Sequence, residues 1–138
     1  RVVKPSGRVA VSLWCAMEES PYFYTLVETI ARHIGPETAA GLQSAFALAD
    51  ADEIYGLLEA AGFGQIEMTI RQLNLPLPHL TEFIPRHISA TPMAVGFNQA
   101  DPVIQQKIVR EVTKQLHQYT MNGYPSIPFK SHFIMARK

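Results

Sequence analysis

At 138 residues, with 47% hydrophobic and 17% charged side chains, the chain is long enough for one domain with a sizeable core and too apolar for intrinsic disorder. Its 12 basic and 12 acidic residues cancel and form no run or stripe, so the electrostatic footprint of a nucleic-acid or membrane-surface binder is absent from the sequence. The single cysteine, Cys15, excludes an internal disulfide and fits a cytoplasmic protein; no apolar stretch reaches the roughly 18–20 residues of a membrane span, and no signal peptide is visible.

The predicted elements begin with a turn at Lys4-Pro5-Ser6-Gly7, where Pro presets one backbone angle and Gly tolerates a positive one. Arg8–Trp14 reads as a strand, with Val9, Val11 and Leu13 on one face and Ala10, Ser12 and Trp14 on the other. Neither face is wet, which predicts an inner strand of a parallel sheet covered on both sides. Because position 1 is Arg and this strand follows at once, the chain is read as a piece whose partner strands lie upstream.

Ser20 and Pro21 open a predicted helix that Gly35 stops, with Phe23, Leu26, Val27, Ile30, Ala31 and Ile34 as its apolar stripe. Pro36 opens a short helix through Gln43. Asp50–Ala61 is the next, with Asp50 and Glu53 as a capping box, Ile54, Leu57, Leu58 and Ala61 facing inward, and Gly62 as a left-handed stop. Gln65–Leu75 alternates as a strand, with a bulge expected near Leu73 and a stop at Pro76 and Pro78. A helix over His79–Ser89 is expected to kink or split at Pro85, and Thr91–Ala100 to form a loop. Asp101 and Pro102 open a long helix whose buried face is Ile104, Ile108, Val112, Leu116 and Tyr119, and whose outer face carries alternating charges between Gln105 and Lys114. Asn122-Gly123 marks a turn before a final strand, Phe129–Ala136.

Three segments together resemble one family. RVVKPSGRVAVSLW (residues 1–14) is similar to the approach to the fifth strand of class I S-adenosylmethionine-dependent methyltransferases, with Ser6 where that family has glycine. DADEIYGLLEAAGF (residues 50–63) is similar to the helix before their sixth strand, and the strand Gln65–Leu75 follows directly. The match is nearest to ubiquinone/menaquinone biosynthesis-type and related small-molecule methyltransferases. The resemblance implies an α/β fold: the C-terminal half of a seven-stranded Rossmann-like sheet, strands five to seven, with the last strand antiparallel between the fifth and sixth. Residues 1–138 would be the C-terminal part of the methyltransferase domain, and residues 15–49 and 76–126 helical insertions covering the substrate side.

The resemblance implies methyl transfer to a small organic acceptor by the intact protein. The cofactor, S-adenosylmethionine, would be bound by the N-terminal half, because no cofactor-binding residue is present in this fragment. Its one Gly-x-Gly, Gly62-Phe63-Gly64, follows a helix and precedes a strand, the reverse of the cofactor-binding order. Ligands of open α/β sheets sit beyond the carboxyl ends of the parallel strands, which makes Trp14, Tyr22, Tyr24, His87 and Met93 the candidate pocket residues. No catalytic residue is identified. His79, Glu82 and His87 lack the spacing of a metal site, and no metal is expected. His87 is weighed as a general base, His33, His117 and His132 as surface residues, and Cys15 as a buried thiol rather than a nucleophile. The competing function is a non-catalytic ligand-binding or dimerisation module, with a homodimer through the edge of residues 8–14.

Overall fold

The computed structural model describes residues 3–121 and 124–138; the Asn122-Gly123 turn lies outside them. The strands are β1 (Arg8–Trp14), β2 (Gly64–Pro76), β3 (Thr120–Met121) and β4 (Tyr124–Arg137). The helices are α1 (Pro21–His33), α2 (Pro36–Gln43), α3 (Ala51–Ala60), α4 (Leu80–Ser89), α5 (Ala94–Gln99) and α6 (Pro102–Gln115). The fold is mixed α/β, with the sheet order β1-β4-β2 and β3 paired to β4 alone.

β4 lies between the two strands that precede it and is antiparallel to both. Arg8 faces Arg137 and Trp14 faces Ser131, while Pro76 of β2 faces Ser126. β1 and β2 therefore point the same way, and their carboxyl ends leave from the same edge of the sheet. The parallel neighbour expected for β1 is not found among the described residues. β1 pairs only with β4, and Ala10, Val11 and Ser12 are exposed rather than covered on both sides.

The side chains of β4 explain how helices attach to this sheet. Its first half buries odd positions, Pro125, Ile127 and Phe129; its second half buries even ones, His132, Ile134 and Ala136. Side chains alternate between faces along a strand, so the two halves bury opposite faces. α3 packs along β2 with Ile54 buried, and His132 Nε2 donates to the Ala49 carbonyl at 2.8 Å. The other helices form a cap on the first half. Leu26, Ile30, Ile84, Ile88, Ile108, Val112, Leu116 and Ile127 meet there in one core, drawn from α1, α4, α6 and β4 with Leu116 just beyond α6.

Local chemistry sets most boundaries. Pro5 and Ser6 are the centre of a turn closed by Gly7 N–H to the Lys4 carbonyl at 2.9 Å. Ser6 has φ 63°, the left-handed region where glycine is at ease and serine is strained. Asp50 Oδ1 accepts from the Asp52 and Glu53 N–H groups, and Asp101 Oδ1 from Val103 N–H, as N-caps do. Gly62 has φ 78°, and the Phe63 and Gly62 N–H groups close back on the Leu58 and Glu59 carbonyls. Lys138 Nζ sits 4.9 Å from the centre of the Phe63 ring, a cation–π contact.

Several expectations fail for identifiable reasons. The ladder of β2 runs unbroken from Glu67 to Pro76; its irregularity lies between Gly64 and Glu67, where Gln65 has φ 46°, not near Leu73. Residues 91–100 are not all loop, because α5 forms; Gly96 meets Thr38 there, and a Cβ on Gly96 would lie 2.2 Å from Thr38 Oγ1. α4 continues through Pro85. The Ser20 side chain does not cap α1; its hydroxyl is buried without a partner. Leu57 is exposed on α3, leaving Ile54 as that helix's buried residue, because only one flank of α3 meets the sheet. His132 is 4% exposed, not a surface residue. His33, also expected on the surface, donates to Glu111 at 2.8 Å, and Arg32 pairs with the same carboxylate. Glu111 thus ties α6 to α1 instead of standing on a solvated face.

Two measurements follow from these local features. Ser6→Gly removes the left-handed strain at the cost of a more flexible unfolded chain, and is expected to raise stability by about 0.5–1 kcal/mol in urea melts. The hydrogen bond from His33, with Arg32 nearby, holds the Glu111 carboxyl below its usual value. A depressed carboxylate stabilises the fold above its unfolded pKa, about 4.3, and that contribution disappears as pH falls through the folded value. Glu111→Gln should therefore cost about 0.5–1 kcal/mol near neutral pH and nothing once pH is well below 4, in paired melts across pH.

Candidate functional site

Where the cap meets the carboxyl end of β1, a cluster of rings forms. Trp14, the last residue of β1, lies 5.1 Å from Phe23, 6.1 Å from Phe46 and 6.2 Å from Phe129, centre to centre. Phe23 in turn is 5.2 Å from Phe46 and 5.2 Å from Phe129, both edge to face. These separations fall in the favourable range for aromatic pairs. α1 contributes Tyr22 and Phe23, α4 contributes Phe83 and His87, and β4 contributes Phe129.

One polar contact crosses this apolar cluster. Tyr22 is 1% exposed, and its hydroxyl lies 2.9 Å from His87 Nδ1. Burial drives the Tyr22 phenol well above its ordinary value and lowers the His87 imidazole, so the phenol keeps its proton and the imidazole stays neutral near pH 7. The His87 ring stacks on Phe83 at 5.6 Å with 8° between planes, and stands 5.9 Å from Phe23.

The structure therefore brings three of the five candidate residues together: Trp14, Tyr22 and His87. Tyr24 is 42% exposed on the other side of α1 and has no part in the cluster, because one residue of helix separates it from Phe23 by about 100°. Met93 is wholly buried in the cap core ahead of α5, a packing residue. Phe23, Phe46, Phe83 and Phe129 belong to the cluster and were not singled out from sequence. Phe23 was visible only as a member of a helical stripe, and nothing local links Phe46, Phe83 or Phe129 to Trp14.

The remaining reactive groups are accounted for by packing. Cys15 is buried; burial and then Glu19 raise its thiol pKa, so a thiolate is disfavoured. Lys130 and Glu19 form an ion pair at 2.7 Å beside it. His79 stacks on Tyr124, with rings 5.7 Å apart, while His87 sits in the ring cluster. Among the described residues no three His, Cys, Asp or Glu side chains converge to hold a metal. Gly62 and Gly64 are taken up by the helix stop and the start of β2, so they offer no phosphate or cofactor cradle.

A second surface is defined by what does not cover it. On the sheet face opposite α3, Ser12, Phe133 and Thr69 lie in one cross-strand row, and Ala10, Met135 and Glu67 in the next. Phe133 is 49% and Met135 46% exposed. They line a shallow depression of about 380 Å³.

No protein-family model matches this chain, and no curated protein matches it. Phe23→Ala should remove the hub of the ring cluster and cost about 3–5 kcal/mol, whereas Tyr24→Ala should stay within about 0.5 kcal/mol of the parent in the same urea titration.

Proposed function

We propose that this chain is the C-terminal portion of a class I S-adenosylmethionine-dependent methyltransferase, supplying strands five to seven and the substrate-side cap for methylation of a small, planar, largely apolar acceptor. The observation that carries the reading is the strand order: the last strand sits antiparallel between two strands that run together. That is the arrangement implied by the resemblance of residues 1–14 and 50–63 to this family. Two further features agree with it. Ser6 has φ 63°, a conformation that favours glycine, the residue the family has at this position. The open side of β1 and the apolar surface at Phe133 and Met135 are what a sheet presents where neighbouring strands and helices have been taken away.

On this reading the cofactor is held by the N-terminal half of the domain, as the resemblance implies. When bound, it supplies an activated methyl group on a sulfonium. The residues present here have a different task. The segments between β1 and α3 and between β2 and β4 leave the strands' carboxyl edge and join in one cap. Trp14, Phe83 and His87 are half-buried at the edge of the ring cluster, with Tyr22 and Phe23 buried behind them, and on this reading they are the cap residues that meet a flat acceptor and keep water from it. Alignment and dehydration suffice for an in-line displacement when the acceptor atom is already nucleophilic.

The test uses the complete gene product that contains this chain, titrated with S-adenosylmethionine by calorimetry and then incubated with labelled cofactor and a panel of aromatic acceptors. Saturable cofactor binding and label transfer are expected. A complete product that binds no cofactor contradicts the reading. The open edge of β1 also favours a second reading, a non-catalytic module that pairs with another copy through residues 8–14. Light scattering on the 138-residue chain would give a dimer under that reading.

A further inference from the structure

A groove runs between α4 and α6. Three adjoining depressions of about 320, 480 and 160 Å³ make it up, and Thr81 lines all three. Arg110 is common to the first two, and Thr113 and His117 to the last two. Thr81 and Pro85 each stand two residues along α4 from a ring of the aromatic cluster, about 200° around the helix, so the groove lies on the other side of α4 from Phe83 and His87. Its two ends differ in chemistry. One end is apolar: half-buried Pro85 and Val109 and the buried ring of Phe97 line it, and the Gln105 amide nitrogen there is already spent on the Phe97 and Ala100 carbonyls. The other end is basic: Lys114, His117 and His79 line it and are exposed, with Arg110 between the two ends. No acidic side chain lines any of the three depressions. Arg110 and Lys114 stand four apart on α6, neighbours on the helix surface. Among the described residues neither is in an ion pair, and the one acid of α6, Glu111, is taken by Arg32 and His33.

We infer that this groove binds a small, soluble phosphate monoester, its phosphate at Arg110, Lys114 and His117 and its compact apolar body against Pro85, Val109 and Phe97. Charge decides the class of ligand: two fixed cations share a concave surface with no acid in its lining. A phosphate ester brings about 1.5–2 negative charges near pH 7 and three strong acceptor oxygens. The Arg110 guanidinium can hold two of them in a fork, and the Lys114 ammonium meets the third as a point charge. The Thr81 hydroxyl and the His117 ring add donors at the same end. A carboxylate brings one charge and leaves one of the two cations uncompensated. Val109 and Lys114 are about 7–8 Å apart along the helix axis, the span of a phosphate and one ring. The depressions also fall in the volume range of small-ligand sites. The site is separate from the aromatic cluster and holds whether or not the chain belongs to a methyltransferase.

The experiment is calorimetric titration of the complete gene product with four probes: phenyl phosphate, inorganic phosphate, benzoate and benzyl alcohol. Phenyl phosphate should saturate, about tenfold tighter than inorganic phosphate, which has no ring to place at the apolar end. Benzoate should bind more weakly than phenyl phosphate, and uncharged benzyl alcohol should give no saturable heat. The double substitution Arg110→Gln with Lys114→Gln should weaken phenyl phosphate about tenfold or more. Arg71→Gln, which removes one exposed cation from β2 instead, should leave the affinity unchanged. Arg110 and Lys114 are exposed, so the urea midpoint of the double variant should stay with the parent. Nitrogen-15 NMR of the unsubstituted protein gives a reading that needs no variant: phenyl phosphate should move the amide signals of Thr81, Arg110 and Lys114. The inference is overturned by no saturable binding of phenyl phosphate, by inorganic phosphate or benzoate binding as tightly, by unchanged affinity in the double variant, or by amide shifts confined to other residues.

Discussion

Everything else in this structure is attached to β4. β1 pairs with residues 131–137 along one side and β2 with residues 126–137 along the other, and each pairing is antiparallel. Over residues 131–137 pairing on both sides satisfies the backbone groups of β4 internally. The same strand divides the work of its two faces. Ile127 and Phe129 join the core of the five-helix cap, while His132, Ile134 and Ala136 are buried on the opposite face, where His132 holds the Ala49 carbonyl just ahead of α3. A slip of one residue would exchange those faces and expose both sets at once, so the register is strongly determined. The chain's last strand is therefore what connects its first strand to its second.

The cap depends on that anchorage for its chemistry as well as its stability. Phe129 of β4 and Trp14 of β1 are the two sheet residues against which α1 sets Phe23. α4 then places His87 against Tyr22. The hydrogen bond between them is the polar link in an apolar junction of two helices, so it fixes their relative position. Packing at native density leaves such a pair little room to rearrange. The rest of the cap, from Leu26 to Leu116, is conventional helix packing and carries no reactive group.

Local signals were legible wherever one short segment decides the outcome. The N-caps Asp50 and Asp101, the stops Gly35 and Gly62, and the strand β1 all follow from neighbouring residues. Ser6 also falls here: the turn was readable, though its strain became visible only with the backbone angle. Long-range contacts were not legible. Nothing in the sequence places His132 against Ala49, or joins Arg32 and His33 to Glu111. α5 escaped because its helix is short, starts without a side-chain cap and holds a glycine that serves contact with Thr38. Of the candidate site, Trp14 was found by its place at a strand end. Tyr22 and His87 were found separately, and their hydrogen bond spans 65 positions that no periodicity links. Tyr24 lies outside the ring cluster because an aromatic residue one step along a helix looks the same in sequence and points elsewhere.

If the proposed methyltransferase reading holds, β1 is an interior strand of a longer protein, flanked by β4 on one side and by another strand on the side that is open here. Amide hydrogen exchange measures this directly, because an N–H held in a strand ladder exchanges through local unfolding and one facing water does not. The N–H groups of residues 8–14 that point away from β4 should be strongly protected in the complete gene product and fast-exchanging in the 138-residue chain. Equally fast exchange in both would contradict the account.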